Sequence, residues 1–279
     1  MSKLKLTVAA AVLTLVASRG FAVTNAVVGT CVAGTHYTTI QAAVNAATSP
    51  STVQICPSTY REQIEIKSAL TLKGVTQGTS NSVVILPPAK GLASNSLSGL
   101  FGKLFVNVYV HANAAVTISN ITIDGAGGTA CPATGYRVGL LYQGGGGSVT
   151  NSSFVDSPTC AKSIAAMADV TSGFSFTNNT LTDCGGVCFE LDYGDTTTVS
   201  GNTITQFKNG AIGIDIQHVA GPATISNNII TGNLLSTGIY STNSTDLTFG
   251  LEMCVAFLDT IDSDNQGNLE CDHGQWGPF

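Results

Sequence analysis

The second half of the 279-residue chain repeats itself, and this repeat constrains the fold more than any other feature. Ile118-Ser-Asn120, Val149-Thr-Asn151, Phe176-Thr-Asn178, Val199-Ser-Gly-Asn202 and Ile225-Ser-Asn227 share an apolar, hydroxyl, Asn or Gly pattern at intervals of 31, 27, 23 and 26 residues. A second series runs out of phase through Leu141, Ala166, Phe189, Ile214 and Ile239, at intervals of 25, 23, 25 and 25. Such a period means stacked units that cannot bury a core singly. Each unit holds β-branched runs of alternating polarity between Gly and Asn turns, and helical patterning is absent. A propeller blade needs about 40 residues or more.

Two or three short strands per unit make one coil of an all-β solenoid, a right-handed parallel β-helix. Each strand then pairs with its equivalent one coil away, about 4.8 Å distant. The Asn column (Asn120, Asn151, Asn178, Asn227) reads as structural, because a sharp corner needs residues tolerant of left-handed backbone and stacked amides can bond along the column. The open end of such a tube needs a cover. Thr38 or Thr39 can cap a short helix over Ile40–Ala47 that supplies it. Ser51–Cys56, Gln63–Lys67 and Leu70–Lys73 read as the first strands.

The segments Tyr37–Ala47, Val53–Glu62 and Ile64–Gly74 resemble the opening of pectin-methylesterase-type chains and of the pectin-lyase-like superfamily. The resemblance implies the fold. It assigns no catalytic residue, because the Gln-Asp-Thr, Asp-Phe-Ile-Phe-Gly and Arg-Pro-Trp segments of the esterases are missing. So are the Gly-His-Gly and Arg-x-Lys signatures of polygalacturonases.

Lys3 and Lys5, an apolar run over 6–16 and small residues ending at Ala22 have the layout of a secretory leader. Residues 1–22 are therefore expected to be a signal peptide, 23–243 the β-helix and 244–279 a C-terminal cap or tail. Losing Lys3, Lys5 and Arg19 takes the net charge from −6 to −9. This charge gives no electrostatic footprint for nucleic acid, and no later segment approaches a membrane span. All 8 Cys follow residue 22. In an oxidising compartment they read as disulfides, most simply paired in sequence order. Metal at Cys184-Gly-Gly-Val-Cys188 lacks a second ligand pair. Asp262-Ser-Asp-Asn-Gln-Gly267 starts like a calcium loop, but His273 stands at its twelfth position. Gly144–Gly147 reads as a turn between coils, and Arg61-Glu62 as a local ion pair.

Aligning the second series places Tyr142, Met167, Glu190, Asp215 and Tyr240 in one column, with Gly144, Asp169, Asp192, Gln217 and Thr242 beside it. Phe189, Leu191, Ile214 and Ile216 then point inward, so both columns point outward. Asp169, Glu190, Asp192 and Asp215 converge as candidate catalytic groups. Lys208 is the nearest candidate base, with Arg137 and Lys162 behind it. Tyr142, Tyr240, Gln217, His218 and Tyr193 are candidate sugar contacts. Stacked like charges need relief. A shared proton gives a glycosidase-type pair, a cation makes the same four acids a calcium site, and solvent alone makes them a hydrated surface. Asp169 and Asp192 also read as an esterase pair. The expectation is a monomeric, secreted, periplasmic or extracellular protein. It binds and cleaves a uronic-acid-rich polysaccharide as lyase or hydrolase, or else serves as a non-catalytic surface solenoid.

Overall fold

The computed structural model describes residues 23–76, 82–111, 114–125, 130–205, 208, 210–232, 236–249, 253–255 and 258–261. The expected leader, the loop from Asp262 and Cys271 lie outside them. Among the described residues, the chain from Ala47 onward winds through eight coils, and each coil gives one strand to each of three parallel sheets. The fifth coil, for example, contributes Phe174–Thr177 to the first sheet, Thr180–Thr182 to the second and Val187–Asp192 to the third. The sheets line up like strand with like: Phe189 pairs with Ala166 on one side and Ile214 on the other. The expected parallel β-helix is what these pairings build.

Alternation puts one apolar set inside the tube. Phe154, Phe176, Phe189, Leu191, Ile214, Ile216 and their equivalents form one continuous buried core. Phe176 stands at its centre, with ring centroids 4.5 Å from Phe189 and 5.4 Å from Phe154. The helix Ile40–Ala46 closes the N-terminal end and buries Ile40, Ala43 and Val44. Thr39 caps it, its hydroxyl accepting from the Ala42 amide. Glu62 accepts from the Ile40 and Gln41 amides at 2.9 and 3.0 Å, which satisfies the helix start. The Gln41 side chain bonds both the N–H and the C=O of Glu65. One amide thereby covers the open edge of the third sheet, where unpaired backbone would invite another strand.

The corner after the first sheet is left-handed at Asn120, Asn151, Asn178 and Asn227, and at Gly201. The hydrogen-bonded amide ladder, however, stands one residue further on and points inward. Asn202 Oδ1 accepts from the Asn179 amide at 2.9 Å, and Asn228 Oδ1 accepts from the Asn202 amide at 3.0 Å. Their Nδ2 groups donate to Val149, Phe176 and Val199 carbonyls. Asn179, Asn202 and Asn228 are buried, so the ladder meets backbone demand at a corner that water does not reach.

Cys31–Cys56, Cys131–Cys160 and Cys184–Cys188 are disulfides, the pairs expected from sequence order. Gly144 to Gly147 make the turn into the fourth coil and the start of its first strand. A Cβ on Gly147 would lie 2.1 Å from the Val116 carbonyl, so no other residue fits there. The coil continues beyond 243, where a cap or tail was expected: Leu247–Phe249, Met253–Val255 and Leu258–Ile261 extend all three sheets. No helix among the described residues is long and apolar enough to cross a membrane.

Candidate active site on the third sheet

The third sheet sets the register of the acids. Leu141, Met167, Glu190, Asp215 and Tyr240 stand in one column, and Gln143, Asp169, Asp192, Gln217 and Thr242 in the next. From Met167 onward this is the arrangement expected from sequence. At the third coil the expectation slips by one residue. Leu140, not Leu141, pairs with Ala166, so Tyr142 belongs to the inward column. It is fully buried, its ring 4.7 Å from Phe174, and its hydroxyl donates to the Val116 carbonyl at 2.9 Å. Tyr142 is a core residue and touches no surface ligand.

The same correction brings in Gln143, which the slipped alignment replaced with Gly144. Gln143 Nε2 donates to Asp169 Oδ2 at 2.9 Å and to the Leu97 carbonyl. Its Oε1 accepts from Tyr109 and Ser96 hydroxyls. It thus ties the acids to the excursion before Gly102–Val110, whose strand Ser96–Ser98 folds back antiparallel. A spacing of 26 rather than 25 residues before Asp169 is the signal that finds it.

The acids are not a hydrated surface. Glu190 and Asp192 expose no area, and Asp169 and Asp215 expose 3% each. On the coils below them the outward face is apolar: Leu104, Val106, Leu141, Ile164 and Met167 form a second buried cluster. The carboxyls therefore stand at the edge of an apolar floor, which disfavours their charged forms. Burial pushes Glu190 well above the usual carboxylate range, and the negative charge of Asp215 adds to it. Both Glu190 oxygens lack an ordinary donor among the described residues. Neutral Glu190, hydrogen-bonded to Asp215, resolves this, since a buried carboxylate without donors is costly. Burial raises Asp215 and Asp169 as well, with Gln217 and Gln143 opposing through hydrogen bonds. Asp192 is raised to about 6, by burial first and then by Asp169, with His218 opposing. Its cover is thinner than that of Glu190.

That thin cover is His218 and its neighbours. His218 Nδ1 is 3.5 Å from Asp192 Oδ1, and the imidazole is 30% exposed. Tyr193 stacks on it, with centroids 4.8 Å apart and planes 14° apart. Tyr193, His218 and Val170 occupy equivalent corners after consecutive third-sheet strands, and all three have left-handed φ, of 50°, 56° and 53°. A β-branched residue in that region is a strained outlier of the kind held at sites. Tyr193 and Val170 are exposed, while Gln217 and Tyr240 are half-buried beside Asp215.

The expected cations are elsewhere. Lys208 lies in the exposed turn before Ile212–Gln217, at the far end of that strand from Asp215. Arg137 is buried against Asp156 at 3.0 Å, and Lys162 donates to the Ala133 carbonyl. The charges acting most strongly on the four acids are one another and His218. Among the described residues no three His, Cys, Asp or Glu side chains converge to hold a metal.

A comparison with curated proteins found no match. Among solved structures, DFA-IIIase from Arthrobacter chlorophenolicus A6 in complex with DFA-III is similar at TM-score 0.53 and 15% identity, covering 81% of this chain and 60% of that one. Escherichia coli YbhC is similar at TM-score 0.50 and 12% identity, covering 92% and 76%. Pectin methylesterase PemA from Erwinia chrysanthemi gives TM-score 0.46 and 11% identity, covering 91% and 95%. At these identities the likeness is one of fold. The family model described as "Right handed beta helix region" matches residues 106–252, just over half of the chain. With its three parallel sheets stacked coil on coil, the chain belongs to the right-handed β-helix family.

Proposed function

We propose that this chain hydrolyses glycosidic bonds of a polysaccharide outside the cytoplasm, at the outer face of its third sheet. The observation that carries the reading is the split acid cluster: buried carboxyls on adjacent coils, with Glu190 pushed well above the usual carboxylate range and Asp192 raised to about 6. Hydrolysis of a glycoside needs one carboxyl that holds a proton near neutral pH and a second that carries charge. Asp192 is the acid and protonates the leaving oxygen. Asp169, its partner on the preceding coil, faces the anomeric carbon as nucleophile. The coil repeat of about 4.8 Å suits the separation of about 5–5.5 Å used by retaining enzymes. Burial, with the charges of Asp169 and Asp215, keeps the Asp192 proton in place. His218 swings from its Asp192 contact to admit the sugar, whose hydroxyls meet Gln217, Tyr193 and Tyr240.

Lyase chemistry fits less well, because no lysine or arginine stands among the strongest charges on the acids to neutralise a uronate. The leader-like N-terminus and the three disulfides support export. The fold shared with the DFA-IIIase supports a carbohydrate ligand at the level of architecture only. One observation favours a second reading. The acids have almost no exposed area, as in a non-catalytic solenoid whose carboxyls only fill space.

The test is a panel of neutral and acidic polysaccharides incubated with the mature protein, following reducing ends and unsaturated-uronate absorbance together. Reducing ends without absorbance, lost in Asp192→Asn and Asp169→Asn, are expected. Absorbance would replace hydrolase by lyase, and silence from folded protein would leave the solenoid reading.

A further inference from the structure

We propose that a cleft at the other end of the third-sheet strands binds a carboxylate carried on a ring-sized, partly apolar organic body. The cleft holds about 450 Å³, within the range of about 300–1,000 Å³ typical of small-molecule sites. Lys90, Leu92 and Pro132 line it, with Phe105 and Arg137 contributing from the sheet. Arg137 is the second residue of the strand that Gln143 ends, so it lies six residues, roughly 20 Å, from the level of Asp169.

Its charge is unusual for this protein. Eleven Lys and Arg less Lys3, Lys5 and Arg19 leave eight in the chain after residue 22, against a net charge of −9. Two of the eight, Lys90 and Arg137, line the cleft, and two more lie near it. Arg137 pairs across the sheet with Phe105 and Ser163, which brings Lys103 and Lys162 to the same level. Lys162 Nζ donates to the carbonyl of Ala133, a wall residue. None of the lining residues is acidic. Asp156 balances Arg137 at 3.0 Å, so Lys90 and Lys162 leave the cleft net positive. A small positive charge between apolar walls suits a monoanion with an apolar body, and suits a polyphosphate poorly. Lys90, exposed in the lining, supplies the cation that a carboxylate can meet. The inference needs no catalysis at the acids.

The experiment is calorimetric titration of the mature protein with sodium D-galacturonate, with D-galactose as the uncharged control and sodium sulfate as the charge-only control. Galacturonate is expected to bind and to weaken with salt, while galactose and sulfate do not bind measurably. Lys90→Ala should weaken galacturonate about fivefold, the loss expected for one partly exposed charge contact. Asp192→Asn should leave the titration unchanged, which separates this cleft from the acid patch. Equal binding of galactose or of sulfate would overturn the proposal. So would indifference to Lys90→Ala, loss in Asp192→Asn, or no galacturonate binding by folded protein.

Discussion

Asp192→Asn should make the protein more stable at neutral pH and leave it unchanged at pH 4. Asp192 titrates at 3.8 in an open chain and at about 6 in the fold. Folding therefore favours its protonated form. Below 3.8 both states hold the proton and nothing is lost. As pH rises through 6 the folded state must ionise a covered carboxyl, and stability falls. A difference of roughly 2 units corresponds to about 3 kcal/mol. The thin cover by His218 lets solvent screen part of this, leaving about 1–2 kcal/mol. Asparagine has the shape without the charge. Urea unfolding followed by circular dichroism at pH 4, 5, 6 and 7 reads the difference between the two proteins, so that effects of the other acids cancel. The curves should meet at pH 4 and separate by about 1–2 kcal/mol at pH 7, with the variant more stable. Parallel pH dependences, or a variant less stable at pH 7, would refute the argument that burial holds the proton on Asp192.

Asn202→Ala should cost about 2–4 kcal/mol in the same unfolding assay, because it leaves the buried Asn179 amide and Phe176 carbonyl without partners. Tyr142→Phe should cost about 1 kcal/mol through the lost bond to Val116 and should not change sugar turnover, as an inward ring requires. Val170→Gly should stabilise the fold by about 1 kcal/mol, since glycine carries the left-handed φ without strain. An unchanged or lower urea midpoint would mean that the corner is unstrained.

The parts of the molecule legible in sequence are those where one rule acts repeatedly. Period-2 alternation between Gly and Asn corners specified the coils, and the Asn120, Asn151, Asn178 and Asn227 corners are left-handed because few other residues tolerate that backbone. The second coil was not legible beyond its first strand. Fifteen residues separate Val83–Leu86 from Gly102–Val110, and this excursion hides the period. Register at the third coil failed for a related reason. A 25-residue spacing carried back from Phe189 and Ala166 puts Tyr142 outside, and one extra residue turns the whole strand over. The acids were found because both columns share a strand face. Their burial was not foreseen, since alternation tells which way a side chain points but not what packs over it. Gln143 and the excursion that folds back through Ser96–Ser98 come from a distant stretch of chain.

The account rests on a proton held within the acid cluster at neutral pH. Carbon-13 labelling of Asp and Glu carboxyls, followed by NMR titration of the mature protein and of Glu190→Gln, reads it site by site. One glutamate resonance should titrate well above the usual carboxylate range and vanish in Glu190→Gln, and an aspartate resonance absent from Asp192→Asn should titrate near 6. Carboxyl resonances that have all moved to ionised positions by pH 5 would contradict it.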